Sequence, residues 1–349
     1  MGMVQHYPAV NRPAAPVCSV CIANYNGVAL LADCLDSVLA QECDFSIEII
    51  VHDDASTDSS LAFLRERYPQ VEVLAGAQNA GFCVSNNRMA AHARGEFILL
   101  LNNDAALYPD ALSTLLGAAR RQAQHGVLTL PQFDWISGVL VDRGCLLDPF
   151  YNPISNLDSE RTDVAMVIGA CLWTSRGLWN RLGGFPDWME SIAEDLYFCC
   201  LARLCDIPVE VVACSGYRHR QGISFGGNRV ESGRLQSTYR RRHLSERNKT
   251  AAMLICTPTW LVWPLLAVHM IALASEGAIL SVAKRDLRPW REIYGATIRF
   301  TFGALAKLRE RRSVAQRQRR ISLRRYLSCF VPTPHKLRLL TRHGIPKIR

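Results

Sequence analysis

The first sixteen residues lack an apolar run. Met1–Pro16 contains Pro8, Pro13 and Pro16 but no continuous hydrophobic stretch. A secretory signal requires a charged start followed by an apolar segment. We therefore expect a flexible N-terminal segment over residues 1–16 and a body that stays in the cytoplasm.

The chain also lacks the even number of cysteines that a complete set of disulfides requires. The chain has 13 cysteines, several of them inside apolar segments such as Cys199-Cys200. This pattern is typical of buried, reduced thiols. Cys18 and Cys21 form a CxxC pair within a predicted strand, where side chains three positions apart point to opposite faces. We therefore expect no shared metal at that pair.

Apolar runs alternate with helical spacings along the first part of the chain. Strands are predicted at 17–23, 47–52, 71–74 and 96–101, and helices at 30–39, 59–68, 85–93 and 109–124. Further strands are predicted at 126–130, 138–147, 164–173 and 209–213, with a helix at 193–205. Alternating strands and helices form a parallel sheet. The expected fold class is therefore α/β, with a mostly parallel central sheet flanked by helices.

The C-terminal part differs in charge from the rest of the chain. Residues 284–349 carry 19 Lys and Arg against three acids, a net charge of +16, whereas the other 283 residues carry −7. Residues 251–275 contain no charged side chain, although Pro258 and Pro264 interrupt them. Basic residues flank both ends, which favours a re-entrant or interfacial hairpin over one crossing. An ordinary buried helical pair is the alternative.

Polar side chains follow three of the predicted strands. The segments are Asn24–Gly27, Asp53–Asp58 and Asn102–Asp104. Such residues often serve only as helix caps, a role that fits Thr57 or Asp58. However, carboxylates that converge from neighbouring strands are costly unless a cation or hydrogen-bond donors bind there. The sequence therefore predicts a ligand site at the carboxyl edge of the sheet.

Eight segments, in this order, resemble family 2 glycosyltransferases. They are Tyr25-Asn26, Asp53–Asp58, Asn79–Phe82 with Asn86-Asn87, Asn102–Asp104, Gly169–Trp173, Gly183–Phe185, Glu194–Phe198, and His219 with Ser224. The similarity spans about Val17 to Lys249 and is greatest to the bacterial rhamnosyltransferase-like branch. The Arg-rich tail is also similar to that of membrane-associated members.

The resemblance implies a GT-A fold and a division of the chain. Residues 17–249 would form the glycosyltransferase domain, with a nucleotide-binding half at 17–108 and an acceptor and catalytic half at 109–249. Residues 250–349 would form a helical, basic, membrane-associated extension.

The resemblance also implies donor-binding residues. Tyr25, Asn26, Asp53 and Asp54 would hold the base and ribose. Gly81 would permit close backbone approach, and Asn87 or Arg88 would lie near the diphosphate or sugar, although Arg88 could equally be a solvated helix residue. Asn102 and Asn103 belong to the same predicted site.

A metal site is implied at the position of the family's DXD motif, where Asn102 replaces the first Asp. Asp104 would be the principal carboxylate ligand of Mn²⁺ or Mg²⁺, which would bridge it to the two phosphates. His219 would be the second ligand, and an imidazole favours Mn²⁺ somewhat. A histidine between Arg218 and Arg220 could instead be an ordinary surface residue.

The catalytic base is implied at Glu194-Asp195. We expect Asp195 to take the proton of the acceptor hydroxyl in an inverting transfer, with Glu194 orienting the acceptor or acting as the base instead. The alternative is that both acids only face the positive end of a helix dipole.

The substrates follow from the resemblance and the basic tail. We expect rhamnose from dTDP-rhamnose, or else a UDP-hexose, and a polyprenyl-diphosphate-linked acceptor of a bacterial surface polysaccharide, at the cytoplasmic face of the inner membrane. A processive synthase would resemble a pattern with a QxxRW signature, and a nucleotidylyltransferase would open with a Gly-rich basic loop. Neither occurs. A non-catalytic protein that binds nucleic acid or membrane through its Arg-rich tail is the remaining alternative.

Overall fold

The structure is a computed structural model, and it describes residues 3–222, 229–231, 234–344 and 347–348. Ser224 lies outside the described residues. The chain forms two compact units. The first comprises Met1–Gly144, Ser155–Ser191 and Ile207–Arg220, and the second comprises Cys145–Ile154, Ile192–Asp206 and Gln221–Arg349.

Most of the strands belong to the first unit. In chain order they are β1 (Val4–Tyr7), β2 (Cys18–Asn24), β3 (Ile47–Asp53), β4 (Glu72–Gly76), β5 (Phe97–Asn102), β6 (Ala105–Leu107), β7 (Val127–Thr129), β8 (Gln132–Asp134), β9 (Leu140–Asp142), β10 (Cys145–Leu147), β11 (Pro153–Ser155), β12 (Cys171–Ser175), β13 (Val209–Val211), β14 (Tyr217–His219), β15 (Arg229–Glu231), β16 (Arg234–Ser237) and β17 (Lys347–Ile348).

The α-helices follow the same numbering. They are α1 (Val28–Leu39), α2 (Ser60–Arg67), α3 (Phe82–His92), α4 (Ala111–Arg121), α5 (Arg176–Leu182), α6 (Glu194–Leu204), α7 (Tyr239–Cys256), α8 (Val262–Lys284), α9 (Gly295–Gly303), α10 (Leu305–Arg317), α11 (Leu323–Tyr326) and α12 (His335–His343). Two 3₁₀ turns (Asp187–Met189 and Leu327–Cys329) and a π-helix (Pro289–Tyr294) complete them.

The central sheet of the first unit has eight strands in the order β1-β4-β3-β2-β5-β12-β7-β13. Strands β4, β3, β2 and β5 are parallel to one another. Strand β12 runs antiparallel between β5 and β7, and β1 is antiparallel to β4. The sheet is thus mostly parallel, which confirms the expected α/β class.

Burial explains why these segments pair at the centre. Cys18–Ile22 of β2 and Phe97–Leu101 of β5 are buried on both faces. Helix α1 covers the sheet with Leu31, Cys34, Leu35 and Val38, the spacing read from the sequence. Each such side chain contributes about 1.5–3 kcal/mol when it leaves water.

Two predicted strands were wrong in extent. The segment 138–147 is broken at Gly144, whose φ of 71° and close approach to Val164 end β9 before β10 begins. In the segment 164–173, the continuous strand begins only at Cys171, and before it Val164 N donates to the Val209 carbonyl (3.0 Å) outside any named strand. A short apolar run is consistent with either outcome.

The N-terminal segment contributes a strand where we expected a flexible segment. Val4–Tyr7 pairs antiparallel with β4, at the edge of the sheet. Arg12 reinforces this edge by a 2.6 Å ion pair with the buried Glu72.

The second unit is mainly helical. Helix α7 is buried along most of its length and continues through position 249. The expected domain boundary at 249/250, which would fall inside this helix, stays a prediction. The apolar run 251–275 is split, because α7 ends at Cys256 and α8 begins at Val262. Pro264 lies in the first turn of α8, where a missing N–H is tolerated.

Candidate active site

Asn24 links the carboxyl ends of three neighbouring strands. It is buried at the end of β2, and its Nδ2 donates to Asp53 Oδ1 at the end of β3 (3.0 Å). Its Oδ1 accepts a hydrogen bond from Asn103 Nδ2, just after β5 (2.8 Å). The three predicted strand-end segments therefore meet, through a residue that the sequence did not single out as a site residue.

Gly27 makes room for this link. A Cβ at position 27 would lie 2.3 Å from Asn103 Nδ2 and 2.5 Å from Asn24 Oδ1. No side chain fits there without displacing the Asn24–Asn103 hydrogen bond. The sequence shows that a glycine follows the strand, but it does not show that the Asn24–Asn103 hydrogen bond lies against this glycine.

The loop after β3 is held by its own polar groups. Asp53 accepts from Ser56 Oγ (2.6 Å) and Ser56 N (3.0 Å). Asn26 adopts a φ of 50°, and its Oδ1 accepts from Thr57 N (2.7 Å). Asp58 accepts from Val28 N and Ser60 N, the first N–H groups of α1 and α2, although Ser59 and not Thr57 or Asp58 is the N-cap of α2. Beside this loop, Tyr25 is 51% exposed and free to stack on a ligand.

Asp54 fixes the turn that precedes α3. Its two carboxylate oxygens accept from Ala80 N and Gly81 N, both at 2.8 Å. Gly81 has a φ of 91° and lies against the carbonyl of Glu190, so this position requires glycine. The turn presents its backbone next to the strand-end cluster.

Asn87 and Arg88 on α3 have different partners. The amide of Asn87 exchanges hydrogen bonds with the backbone of Phe185 and donates to Asp187 Oδ1 (2.9 Å), so it holds the Gly183–Phe185 motif in place. Arg88 Nη1 lies 3.1 Å from His52 Nε2. Burial lowers the pKa of His52 to about 4, so the ring is neutral and accepts from Arg88. Arg88 is thus half-buried and held, not a freely solvated residue.

Asp104 and His219 are brought together by a second, smaller sheet. Its order is β6-β14-β8-β9, and β14 runs antiparallel to β6 with His219 opposite Ala105. His219 Nε2 and Asp104 Oδ1 lie 3.0 Å apart, and both side chains are buried. The two residues predicted to bind metal are therefore neighbours, although 115 positions separate them in the chain.

The tautomer of His219 bears on whether this pair suits a cation. His219 Nδ1 lies 3.2 Å from Gln132 Oε1, which also accepts from Tyr217 Oη (2.8 Å). With Oε1 assigned to face the ring, Nδ1 donates to Gln132, and Nε2 is an acceptor whenever it carries no proton. Two acceptors then face each other at 3.0 Å. Two ligands at about 2.1 Å and 90° on an octahedral ion lie about this far apart, so the residues fit a divalent cation.

Two further groups near this pair matter for its chemistry. The buried Asp142, which the sequence did not identify, has its pKa raised to about 7 by burial, opposed by the Gly144 N–H and by His219. Asn102 Oδ1 is buried, and no hydrogen bond to it occurs within the described part of the chain. An acceptor left open in this way suits the hydroxyl or N–H of a ligand.

Glu194 and Asp195 begin α6 in the second unit. Both are buried, and Glu194 Oε2 accepts no hydrogen bond from the residues that the structure describes. Burial and the negative charge of Asp195 raise the pKa of Glu194 to about 8, opposed by its own backbone N–H and by Arg241. A carboxyl with a pKa raised in this way holds its proton at neutral pH.

The backbone before this pair is strained. Ile192 and Ala193 have φ values of 68° and 67°, and a β-branched residue is rarely found there. Asn248 Nδ2 on α7 donates to the Ile192 carbonyl (2.8 Å), and Arg247 Nε donates to Asn248 Oδ1 (3.0 Å). Strain held by buried side chains is typical of functional segments. Sequence reasoning missed Arg241, Arg247 and Asn248, which only the tertiary structure relates to the acids.

His6, Glu72 and His92 form another group with metal-ligand chemistry. Glu72 is the first residue of β4, so the group lies at the amino end of that strand, and not at the carboxyl ends where the other polar groups meet. Arg12 Nε already binds Glu72 Oε2 (2.6 Å). The geometry therefore fits an ion-pair cluster that anchors the edge of the sheet.

Part of this chain matches a known protein family. The model of the family described as glycosyl transferase family 2 matches residues 19–182, which include Asp53, Asp54 and Asp104. The poly(ribitol-phosphate) beta-glucosyltransferase of Bacillus spizizenii is 36% identical over 205 residues, which are 57% of this chain and 31% of that protein. The chondroitin synthase of Escherichia coli is 28% identical over 188 residues, which are 52% of this chain and 26% of that protein.

The chain therefore spans less than a third of the length of either relative. Among solved structures, GalNAc-T7 with UDP, GalNAc and Mn²⁺ has a TM-score of 0.60 and 13% identity, over 96% of this chain and 59% of that one. At this identity the likeness shows the fold, which is of the GT-A type.

Proposed function

This chain belongs to glycosyl transferase family 2 through its domain at residues 19–182, and on that premise we propose that it is an inverting, metal-dependent enzyme of bacterial surface polysaccharide synthesis. It would move a sugar from a nucleotide diphosphate to a lipid-linked saccharide. The observation that carries the proposal is the buried Asp104–His219 pair at the carboxyl edge of the sheet. The names of the two relatives, which make or modify surface polymers, support the setting.

The donor would bind across the ends of β2, β3 and β5. Tyr25 offers an exposed ring for the base, and Asp53 and Asp54 supply oxygens whose remaining lone pairs can accept from the base and ribose. Asn26 would contribute its amide N–H groups, because its Oδ1 already accepts from Thr57 and Asp58. Gly81, Asn87, Arg88, Asn102 and Asn103 would surround the diphosphate and sugar. The rhamnosyltransferase-like sequence pattern favours dTDP-rhamnose, and a UDP-hexose is the second candidate.

Asp104 Oδ1 and His219 Nε2 would hold a divalent cation, Mn²⁺ in preference to Mg²⁺ because one ligand is an imidazole. When bound, the cation supplies positive charge to the departing diphosphate. Gln132 keeps the ring of His219 in the orientation and tautomer that leave Nε2 free to coordinate. Asp142 adds a buried acidic group that strengthens the preference for a cation.

Asp195 would act as the general base. In an inverting transfer the acceptor oxygen bonds to the anomeric carbon, the bond to the diphosphate breaks, and the hydroxyl proton passes to the base. Glu194, whose pKa is raised, would keep its proton at neutral pH, and Asp195 would be the carboxylate that accepts. Protonated Glu194 would then orient the acceptor by donating a hydrogen bond. The reverse assignment, with Glu194 as base, is the alternative.

The acceptor would be a polyprenyl-diphosphate-linked saccharide reached from the cytoplasmic face of the membrane. The +16 charge of residues 284–349 supports this setting, because such a segment is attracted to anionic lipid.

The test is nucleotide diphosphate release from a panel of sugar nucleotides, with and without Mn²⁺. Metal-dependent release from one donor, lost in Asp104→Ala and Asp195→Ala, is the expected result. Asp44→Asn, an exposed acid of the first unit, is the matched control and should release product at the wild-type rate. Release that needs no metal, or no release from any donor, would contradict the proposal.

A further inference from the structure

Helix α8 in the second unit has two opposite faces, both apolar. Its inner face, with Leu266, Leu273, Gly277 and Leu280, is buried. We define its outward face as Pro264, Val268, Ile271, Ser275, Ile279 and Val282, all of them exposed. These positions recur at helical spacing and form one stripe along a helix about 34 Å long.

The outward face carries no charge, which is unusual for a helix side in contact with water. Ile271 and Val282 are 67% and 79% exposed. A surface helix normally turns polar and charged residues to solvent. An apolar stripe of this length marks a site of contact with a protein or a membrane.

Aromatic and basic residues border the stripe. Trp260, 75% exposed, precedes α8, and Trp290 follows it and packs beside Gly277. Arg309 lies over the ring of Trp263, 4.9 Å from its centre. Lys284 is the last residue of the helix, and Arg285, Arg288 and Arg291 follow it. Tryptophans and cations beside an apolar stripe are typical of the boundary between lipid headgroups and acyl chains.

The inner face argues that α8 lies along a membrane instead of crossing it, although among the described helices it alone is long and apolar enough to cross. Leu273 and Leu280 pack with Ile293 and Tyr294 in one core cluster. Glu276, the sole Asp, Glu, Lys or Arg between 262 and 283, pairs with Arg242 (2.8 Å) and Lys336 (2.7 Å). A crossing would take this ion-paired network into hydrocarbon, where charged groups are costly.

We propose that the outward face of α8 is a docking surface for an anionic lipid bilayer, with the helix lying in the plane of the membrane. The apolar stripe would enter the acyl boundary while Lys284, Arg285, Arg288 and Arg291 contact lipid phosphates. The basic residues beside the stripe favour lipid over a second copy of the chain as the partner. Two copies would bring like charges together, whereas an anionic lipid surface attracts these residues. The inference deepens the proposed function by naming the membrane contact. The biological purpose of this contact rests on the proposed function, whereas lipid binding itself does not.

The test is flotation of the full chain with vesicles of phosphatidylcholine alone and with about one third phosphatidylglycerol. Wild-type protein should float with the anionic vesicles, and less so as salt rises. Ile271→Glu/Val282→Glu should reduce the bound fraction at least about tenfold. Ile136→Glu/Val139→Glu, which alters two exposed apolar residues of the first unit, is the matched control and should float like wild type.

Two further measurements keep the outcome independent of turnover and of misfolding. Arg285→Gln/Arg291→Gln should lower binding roughly tenfold to anionic vesicles without changing the circular dichroism spectrum. Lipids with brominated chains should quench the tryptophan fluorescence of the wild type more than that of Trp260→Phe/Trp263→Phe.

Equal flotation of Ile271→Glu/Val282→Glu and wild type would overturn the proposal. So would a dimer that this variant dissociates in the absence of vesicle binding, which would make the stripe a surface for self-association. Resistance of bound wild-type protein to alkaline carbonate extraction would contradict the in-plane arrangement. Because flotation needs no donor or acceptor, these results are separable from a failure of the proposed glycosyl transfer.

Discussion

The strand ends of the first unit and the start of α6 in the second unit both collect carboxylates, but they hold them differently. Asp53 accepts hydrogen bonds from Asn24 and Ser56, and Asp54 accepts from the backbone N–H groups of the turn before α3. Glu194 and Asp195 instead lie buried side by side after a strained turn, with one Glu194 oxygen unpaired in the described structure. Satisfied carboxylates suit rigid binding, whereas a buried carboxyl with an open oxygen, as in Glu194, suits proton transfer.

The largest difference between the two groups of carboxylates is expected when Asp195 is substituted. Asp195→Asn should lower kcat by about 10³-fold, because an amide cannot accept the acceptor's proton. Donor affinity, measured by calorimetry with the nucleotide diphosphate, should stay at the wild-type value.

Glu194→Gln is the matched control for that change, because glutamine resembles a protonated glutamate in shape and in donating ability. We expect it to keep most of the activity. If Glu194→Gln lost as much kcat as Asp195→Asn, Glu194 would be the base and our assignment within the pair would be reversed.

A smaller effect is expected from filling the space beside Asn24. Gly27→Ala puts a methyl group on the Asn24–Asn103 hydrogen bond and should destabilise the fold by about 1–3 kcal/mol, as overpacking does. Donor affinity should fall as well, because three strand ends lose their common link. Thermal unfolding and nucleotide titration measure the two effects.

Gly177→Ala is the control for that experiment. Gly177 lies in α5, and an added Cβ there meets nothing within 4 Å. Alanine should be neutral or slightly stabilising at this site. Loss of donor binding in Gly177→Ala to the same extent would show that the effect of Gly27→Ala is not local.

The remaining prediction concerns the pH dependence of stability. The raised pKa of Glu194 means that the folded state binds its proton more tightly than the unfolded state does. This contribution to stability is present below the ordinary value of 4.5 and is lost as the pH rises through about 8. The free energy of unfolding should fall with a slope of up to about 1.4 kcal/mol per pH unit in that window.

Urea unfolding at a series of pH values measures this slope. Glu194→Gln should remove it, whereas Glu66→Gln, at an exposed position of α2, should leave it unchanged. A slope that persists in Glu194→Gln would assign the titration to another group.

The strands that build the site were predicted well because their signals are local. Strand β3 is the predicted segment 47–52 with one additional residue at its end, and β5 is the predicted segment 96–101 shifted by one residue. Apolar runs between polar ends leave little choice of position. The prediction was wrong at 138–147, where the left-handed backbone of Gly144 depends on its contact with Val164.

The site itself was only partly predictable. The sequence named Asp104 and His219 by resemblance, and the structure places them in contact. Asn24 and Gly27 were named only as part of a polar strand end, without their structural roles, and Asp142 and Asn248 were not identified, because each acts through partners distant in the chain. The roles of Tyr25, Asp53 and Asp195 stay predictions.

The most direct test of the central claim is Mn²⁺ binding in the presence of nucleotide diphosphate, followed by the electron paramagnetic resonance signal of free Mn²⁺. Wild-type protein should remove the free-ion signal, and His219→Gln should weaken binding by about 10–100-fold. The control Asp44→Asn should bind like wild type. A wild-type titration that leaves the free Mn²⁺ signal unchanged, or equal binding by His219→Gln, would contradict the assignment of Asp104 and His219 as the metal site.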